Sequence, residues 1–145
     1  MNPITREWVE KAEGDWNSAL REIRARKHPN YDSACFHAQQ CAEKYMKAVL
    51  CETGMLIDKV HDLGKVLDQV KVANPMWEVL RPAAIVLTDY GVRFRYPGSS
   101  ADKIMAGEAV KHCRLIRELL AVHLGKRLTT RMRRGRGVVS RRKRR

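Results

Sequence analysis

The sequence predicts an all-α fold, an antiparallel bundle of four to five helices followed by a basic tail. Three observations predict it. Apolar residues recur at steps of three and four along several long runs, which puts them on one face of a helix. No stretch alternates apolar and polar residues as a half-buried strand does. The two longest runs are joined only by RARKHPN, and a connection that short favours neighbouring antiparallel helices.

The first helix starts at Asn2-Pro3, a cap followed by a proline near the first helical position. Trp8, Ala12, Trp16, Ala19, Leu20 and Ile23 mark its apolar face, and Pro29 forbids its continuation. The second helix is the stretch YDSACFHAQQCAEKYMKAVLC, residues 31–51, around which the chain is organised. Its inward face is predicted to hold Tyr31, Ala34, Cys35, Ala38, Ala42, Tyr45, Met46 and Val49. Ser33, Gln40, Glu43, Lys44 and Lys47 are assigned to the opposite face, with Asn30 as cap and Gly54 past the end. Phe36 falls among those polar residues, so this helix is expected to be contacted on both sides.

Residues 53–61 read as a loop whose Met55, Leu56 and Ile57 pack down. Asp62 caps a short helix with Leu63, Val66, Leu67 and Val70 on one face. Asn74-Pro75 opens another, with Trp77, Leu80, Ala84 and Leu87 as its stripe, a break near Arg81 ahead of Pro82, and an end at Gly91. Residues 92–100, VRFRYPGSS, read as a loop. Ser99 and Asp102 offer a capping box for the last helix, whose inward stripe is Met105, Ala109, Cys113, Ile116, Leu120 and Leu124, ending at Gly125.

The net charge of +13 is unevenly distributed. Residues 126–145 hold 11 of the 29 Lys and Arg and no acid, so residues 1–125 carry a net of only +2. The tail has almost no core-forming residues and is expected to be disordered and to bind nucleic acid through phosphate contacts. The chain therefore divides into a bundle, residues 1–125, and a tail, residues 126–145. No run of about 18 apolar residues exists and no signal-peptide core opens the chain, so a cytoplasmic protein without a membrane span is expected. Cys35, Cys41, Cys51 and Cys113 form no CxxC pair and show no metal-ligand spacing. They are expected to be reduced, and Cys35 and Cys113 to be small core residues; neither metal nor cofactor is expected.

Three pieces carry a family resemblance, in order along the chain: FHAQQCAEKYMKAVL within the second helix, KVHDL at residues 59–63 and RYPG at residues 95–98. Together they resemble HEPN domains, helical modules common in bacteria and archaea, over roughly residues 8–120. The resemblance implies a helical bundle, which agrees with the periodicity. It further implies a non-catalytic homodimer acting with a minimal nucleotidyltransferase, as in toxin–antitoxin-like modules, and possible nucleotide or RNA binding. The alternative it implies is a metal-independent ribonuclease toxin, since many RNA-cutting HEPN domains share an Arg followed at a short spacing by His. Arg117 and His123 have that spacing, although a helix would set them about 120° apart. The other reading of the pair is a surface arginine and a histidine suited to a helix C-terminus.

Other candidates come from the residues themselves. His37, Gln40, Lys44 and Lys47 share one side of the second helix and, with Arg93, Arg95 and Tyr96, can hold a phosphate and stack a base. The same face reads equally as a solvated surface or as a dimer interface centred on Phe36. His61-Asp62 reads as an acid–base pair or as a loop histidine beside a helix cap. RFRYPG alternates arginine with aromatic rings, as single-strand binding surfaces do, or it uses Arg93 or Arg95 to pair an internal carboxylate such as Glu43.

Overall fold

The computed structural model describes residues 1–125. These form α1 (Pro3–Arg24), α2 (Tyr31–Glu52), α3 (Leu63–Val70), a 3-10 helix (Pro75–Leu80), α4 (Arg81–Arg93) and α5 (Lys103–His123). All elements among the described residues are helical, as the periodicity requires. The expectations for residues 126–145 lie outside the described part.

The helix starts follow the sequence closely. The Asn2 side chain accepts from Thr5 N at 2.8 Å, Asn30 from Ser33 N at 2.9 Å, and Asp62 from Gly64 N and Lys65 N at 2.9 and 3.2 Å. Each supplies an acceptor to amide groups that have no partner inside the helix. Gly54, with φ of +74°, lets the chain leave α2 through a left-handed turn in which Met55 N donates back to Leu50 O. At the last helix the cap is Asp102, accepting from Met105 N at 2.8 Å, so the expected capping box led by Ser99 does not form.

The connections make the neighbours antiparallel. Asn2 meets Glu52, Glu13 meets Tyr45 and Asp15 meets Lys44, so positions fall along α2 as they rise along α1. Likewise Tyr90 bonds Glu108 and Trp77 packs on His123, which sets α4 against α5. Helix α2 lies at the centre and packs on α1, α5, α4 and α3. Its Ala34, Ala38 and Ala42 are fully buried, and small residues there allow α1 and α5 to approach closely.

Three expectations change. Glu43 and Lys47, assigned to a polar outer face, are only 4% and 6% exposed. Covering by the neighbouring elements buries the pair, and the Lys47 Nζ to Glu43 Oε2 contact of 3.0 Å neutralises it there. Gly91 does not end its helix; α4 runs on to Arg93. A Cβ at Gly91 would lie 2.7 Å from Gln39 Cγ, so this glycine marks the closest approach of α4 to α2. Of the three apolar loop residues, Met55 and Ile57 pack on the core while Leu56 stays exposed. The break at Pro82 is real: the 3-10 helix gives way to α4 at Arg81. The buried apolar faces of α3, α4 and α5 match the stripes read from sequence, with Met105 only partly buried.

Candidate functional site

Most of the candidate chemical residues among residues 1–125 fall into three polar clusters and one aromatic strip. The first cluster joins α1, α2 and α5. Arg117 Nε and Nη2 donate to the two carboxylate oxygens of Glu13 at 2.7 and 2.8 Å, a bidentate pair. The same carboxylate accepts from the Tyr45 hydroxyl at 2.7 Å. The guanidinium also lies over the Trp16 ring, 4.6 Å from its centroid. Burial works against the Arg117 charge, but the hydrogen-bonded Glu13 outweighs it, and the arginine pKa is raised further. Burial, then the Glu13 hydrogen bond, holds the Tyr45 phenol neutral far above its usual range. His123 has a different neighbour: its ring meets Trp77 edge-on at 4.8 Å. Arg117 thus faces Glu13 and Trp16, while His123 faces Trp77, and no acid–base partnership is built between them.

The second cluster centres on Asp15, a buried α1 carboxylate. His37 Nδ1 lies 2.7 Å from its Oδ1, and Lys44 Nζ lies within hydrogen-bond reach of Oδ2. Two α2 side chains read as ligand-binding therefore converge on one α1 acid. This offsets the positive charge a phosphate would need.

The third cluster surrounds Glu43. Beyond Lys47, it takes Gln39 Nε2 at 3.1 Å and His61 Nδ1 at 3.3 Å. Gln40 donates to Gln39 Oε1 at 2.7 Å, and Gln39 also reaches His61 O at 3.4 Å. His61 and Asp62 do not form an acid–base pair: the imidazole goes to Glu43, and the carboxylate caps α3. Lys47 also sits 6.0 Å from the Trp8 ring centroid.

The RFRYPG segment divides into two. Arg93 turns back along α4, pairs with Asp89 at 2.6 Å and lies over Tyr90 and Phe94. It does not reach Glu43, nor does Arg95. The Arg95 guanidinium instead lies 5.5 Å from the Phe36 centroid and 5.9 Å from that of Tyr96. Phe36 in turn meets the His37 ring at 5.4 Å. Tyr96, Arg95, Phe36 and His37 thus form a continuous strip across the loop and α2, with Tyr96 62% exposed at its end. Phe36 is half-buried, its ring engaged by its own chain.

Two features escaped the sequence reading. Asp15 and Glu13 stand among the polar residues of an amphipathic helix, and nothing in spacing alone distinguishes them from solvated acids. A pairing signal was available only through helix packing, since the antiparallel register of α1 and α2 sets Asp15 beside Lys44. The second feature is the thiols. Burial, with Asp32 nearby, pushes the Cys35 thiol up to about 12, and burial raises Cys41 as well. Cys41, on neither predicted face, is as buried as Cys35 and Cys113.

An all-helical bundle with one long central helix, interior ion pairs that bind its helices together, and an arginine–aromatic strip beside that helix defines the class of protein. The HEPN domain pattern matches residues 5–125, and the chain belongs to that family. Among solved structures, the chain is similar to the crystal structure of TT1696 from Thermus thermophilus. The identity is 26% and the TM-score 0.72, over 83% of this chain and 97% of the other. No curated protein matches the sequence significantly. No helix among the described residues is long and apolar enough to cross a membrane.

Proposed function

We propose that this protein is a non-catalytic HEPN module that acts by binding, as a homodimer, together with a minimal nucleotidyltransferase in a toxin–antitoxin-like pair. One observation carries the reading: Arg117 is held bidentate by Glu13 under Trp16. Ribonuclease chemistry needs a base close to the reacting 2′-hydroxyl and a cation free to meet the developing charge. Here the cation is bound into the scaffold and the histidine packs against an indole. The partner follows from the family resemblance, because nothing in this chain looks like a nucleotidyltransferase.

The binding surface in this reading is the strip of Tyr96, Arg95, Phe36 and His37, with Gln40 and Lys44 beside it. Arg95 and Tyr96 give it a base-stacking character, and single-stranded RNA or a nucleotide is the ligand class it fits. Phosphate capture rests on Arg95 and on the tail rather than on Lys44, whose charge is matched by Asp15. The test has three arms. Titration with a fluorescent single-stranded RNA should give saturable binding by the full chain, weakened at least fivefold by Tyr96→Ala. Deletion of residues 126–145 should remove most of the salt dependence, because that tail supplies the phosphate contacts. Incubation with the RNA in chelator should leave it uncut. RNA cleavage by the wild type, lost in His123→Ala, would overturn the non-catalytic reading.

A further inference from the structure

We infer that the second copy docks on the outer face of α5, in an antiparallel two-fold arrangement centred near Leu115. This rests on the dimer in the reading above and assigns its surface. Ile104 and Val122 are 81% and 72% exposed, and Leu115 and Leu119 are also exposed. Ile104, Leu115 and Val122 are separated by eleven and seven residues, so they share one stripe pointing away from the core. Eight of the thirteen exposed large apolar side chains among the described residues lie on the 3-10 helix, α4 or α5, four of them on α5 itself. The Phe36 ring, by contrast, is covered by Arg95 and His37 of its own chain.

Two arguments select a second copy as occupant. The first is charge. Lys111 and Glu118 flank Leu115 on the same outer face, both exposed, and neither has an ion-pair partner among the described residues. In a two-fold antiparallel pairing of α5 centred at Leu115, Lys111 of each copy comes beside Glu118 of the other. The face is therefore complementary to itself, as an isologous contact demands, and Leu115 meets its own equivalent at the axis. The second argument is area. A helix of 21 residues is about 31 Å long and about 10 Å wide, so α5 alone projects about 300 Å². That falls short of the roughly 800 Å² per partner of a stable interface. With α4, 13 residues and about 20 Å long, packed beside it at about 8–10 Å, the layer reaches about 500 Å² in projection, and the accessible area of its side chains exceeds the projection.

The experiment is the solution mass of the full chain by sedimentation and light scattering at about 5–50 µM, with melting followed by circular dichroism to check folding. The wild type should have about twice the 16.7 kDa chain mass. Leu115→Glu, or Val122→Glu as a second variant, should raise the dimer dissociation constant at least tenfold while leaving helical content intact. Lys111→Glu and Glu118→Lys should each weaken the dimer, and the two together should restore it to within about threefold of wild type. A monomeric wild type overturns the dimer itself. A wild-type dimer that all four single variants leave intact overturns this placement alone, and its loss in Phe36→Asp would move the contact to α2. A dimer lost in the single charge reversals and not restored in their combination overturns the two-fold pairing.

Discussion

Replacing Arg117 by alanine separates a scaffold arginine from a catalytic one. The side chain is about one-tenth exposed, makes two hydrogen bonds to Glu13 and stacks on Trp16. Removing one member of a buried ion pair costs about 3–5 kcal/mol, because the other charge is left without compensation. Glu13 retains some exposure and the Tyr45 donor, so the expected loss is about 2–3 kcal/mol, lost stacking included. For about 125 folded residues, 1 kcal/mol corresponds to about 4 °C in Tm, which predicts a fall of about 8–12 °C. Arg117→Lys should fall between the two, since a lysine keeps the charge and loses the bidentate geometry. The assay is thermal melting by circular dichroism, run beside RNA cleavage in chelator. A Tm change under about 2 °C, together with abolition of RNA cleavage, would refute the reasoning and place Arg117 in a catalytic role.

Gly91→Ala gains about 1 kcal/mol of helix propensity but forces the buried Gln39 side chain to move, at about 1–3 kcal/mol. A net loss of about 1 kcal/mol is expected in denaturant melts, and it should shrink in a Gln39→Ala background, where the 2.7 Å Cγ contact is removed and only the 3.0 Å contact to Cβ remains. The Arg81 hydrogen bonds hold the Asp68 and Glu78 carboxyls below their ordinary range. A depressed folded-state pKa gives stability that is full above the unfolded value and is lost as pH falls through the folded one. The Tm advantage of wild type over Arg81→Ala should therefore be present at pH 6 and fade as pH drops below about 4, and a difference constant with pH would contradict it. Of the four thiols, only Cys51 at the end of α2 is not fully buried, so a disulfide reagent at pH 8 should modify one cysteine quickly in the native protein, and Cys51→Ser should remove that fast phase.

The periodicity of apolar residues determined the helices, because a side chain's direction along a helix depends only on its own position in the sequence. Caps at Asn2, Asn30, Asp62 and Asn74, and the break before Pro82, were legible for the same reason: each acts within a few residues. The motifs FHAQQCAEKYMKAVL, KVHDL and RYPG carried the family. What the sequence could not decide was the fate of the charges. Whether Glu43 and Lys47 meet water or protein depends on what covers α2, and α2 is covered by four helices, not by one core face. Whether Arg117 serves chemistry or packing depends on Glu13, 104 residues away in the chain. A charged side chain takes its role from the nearest opposite charge and from the water left around it, and tertiary packing alone sets both.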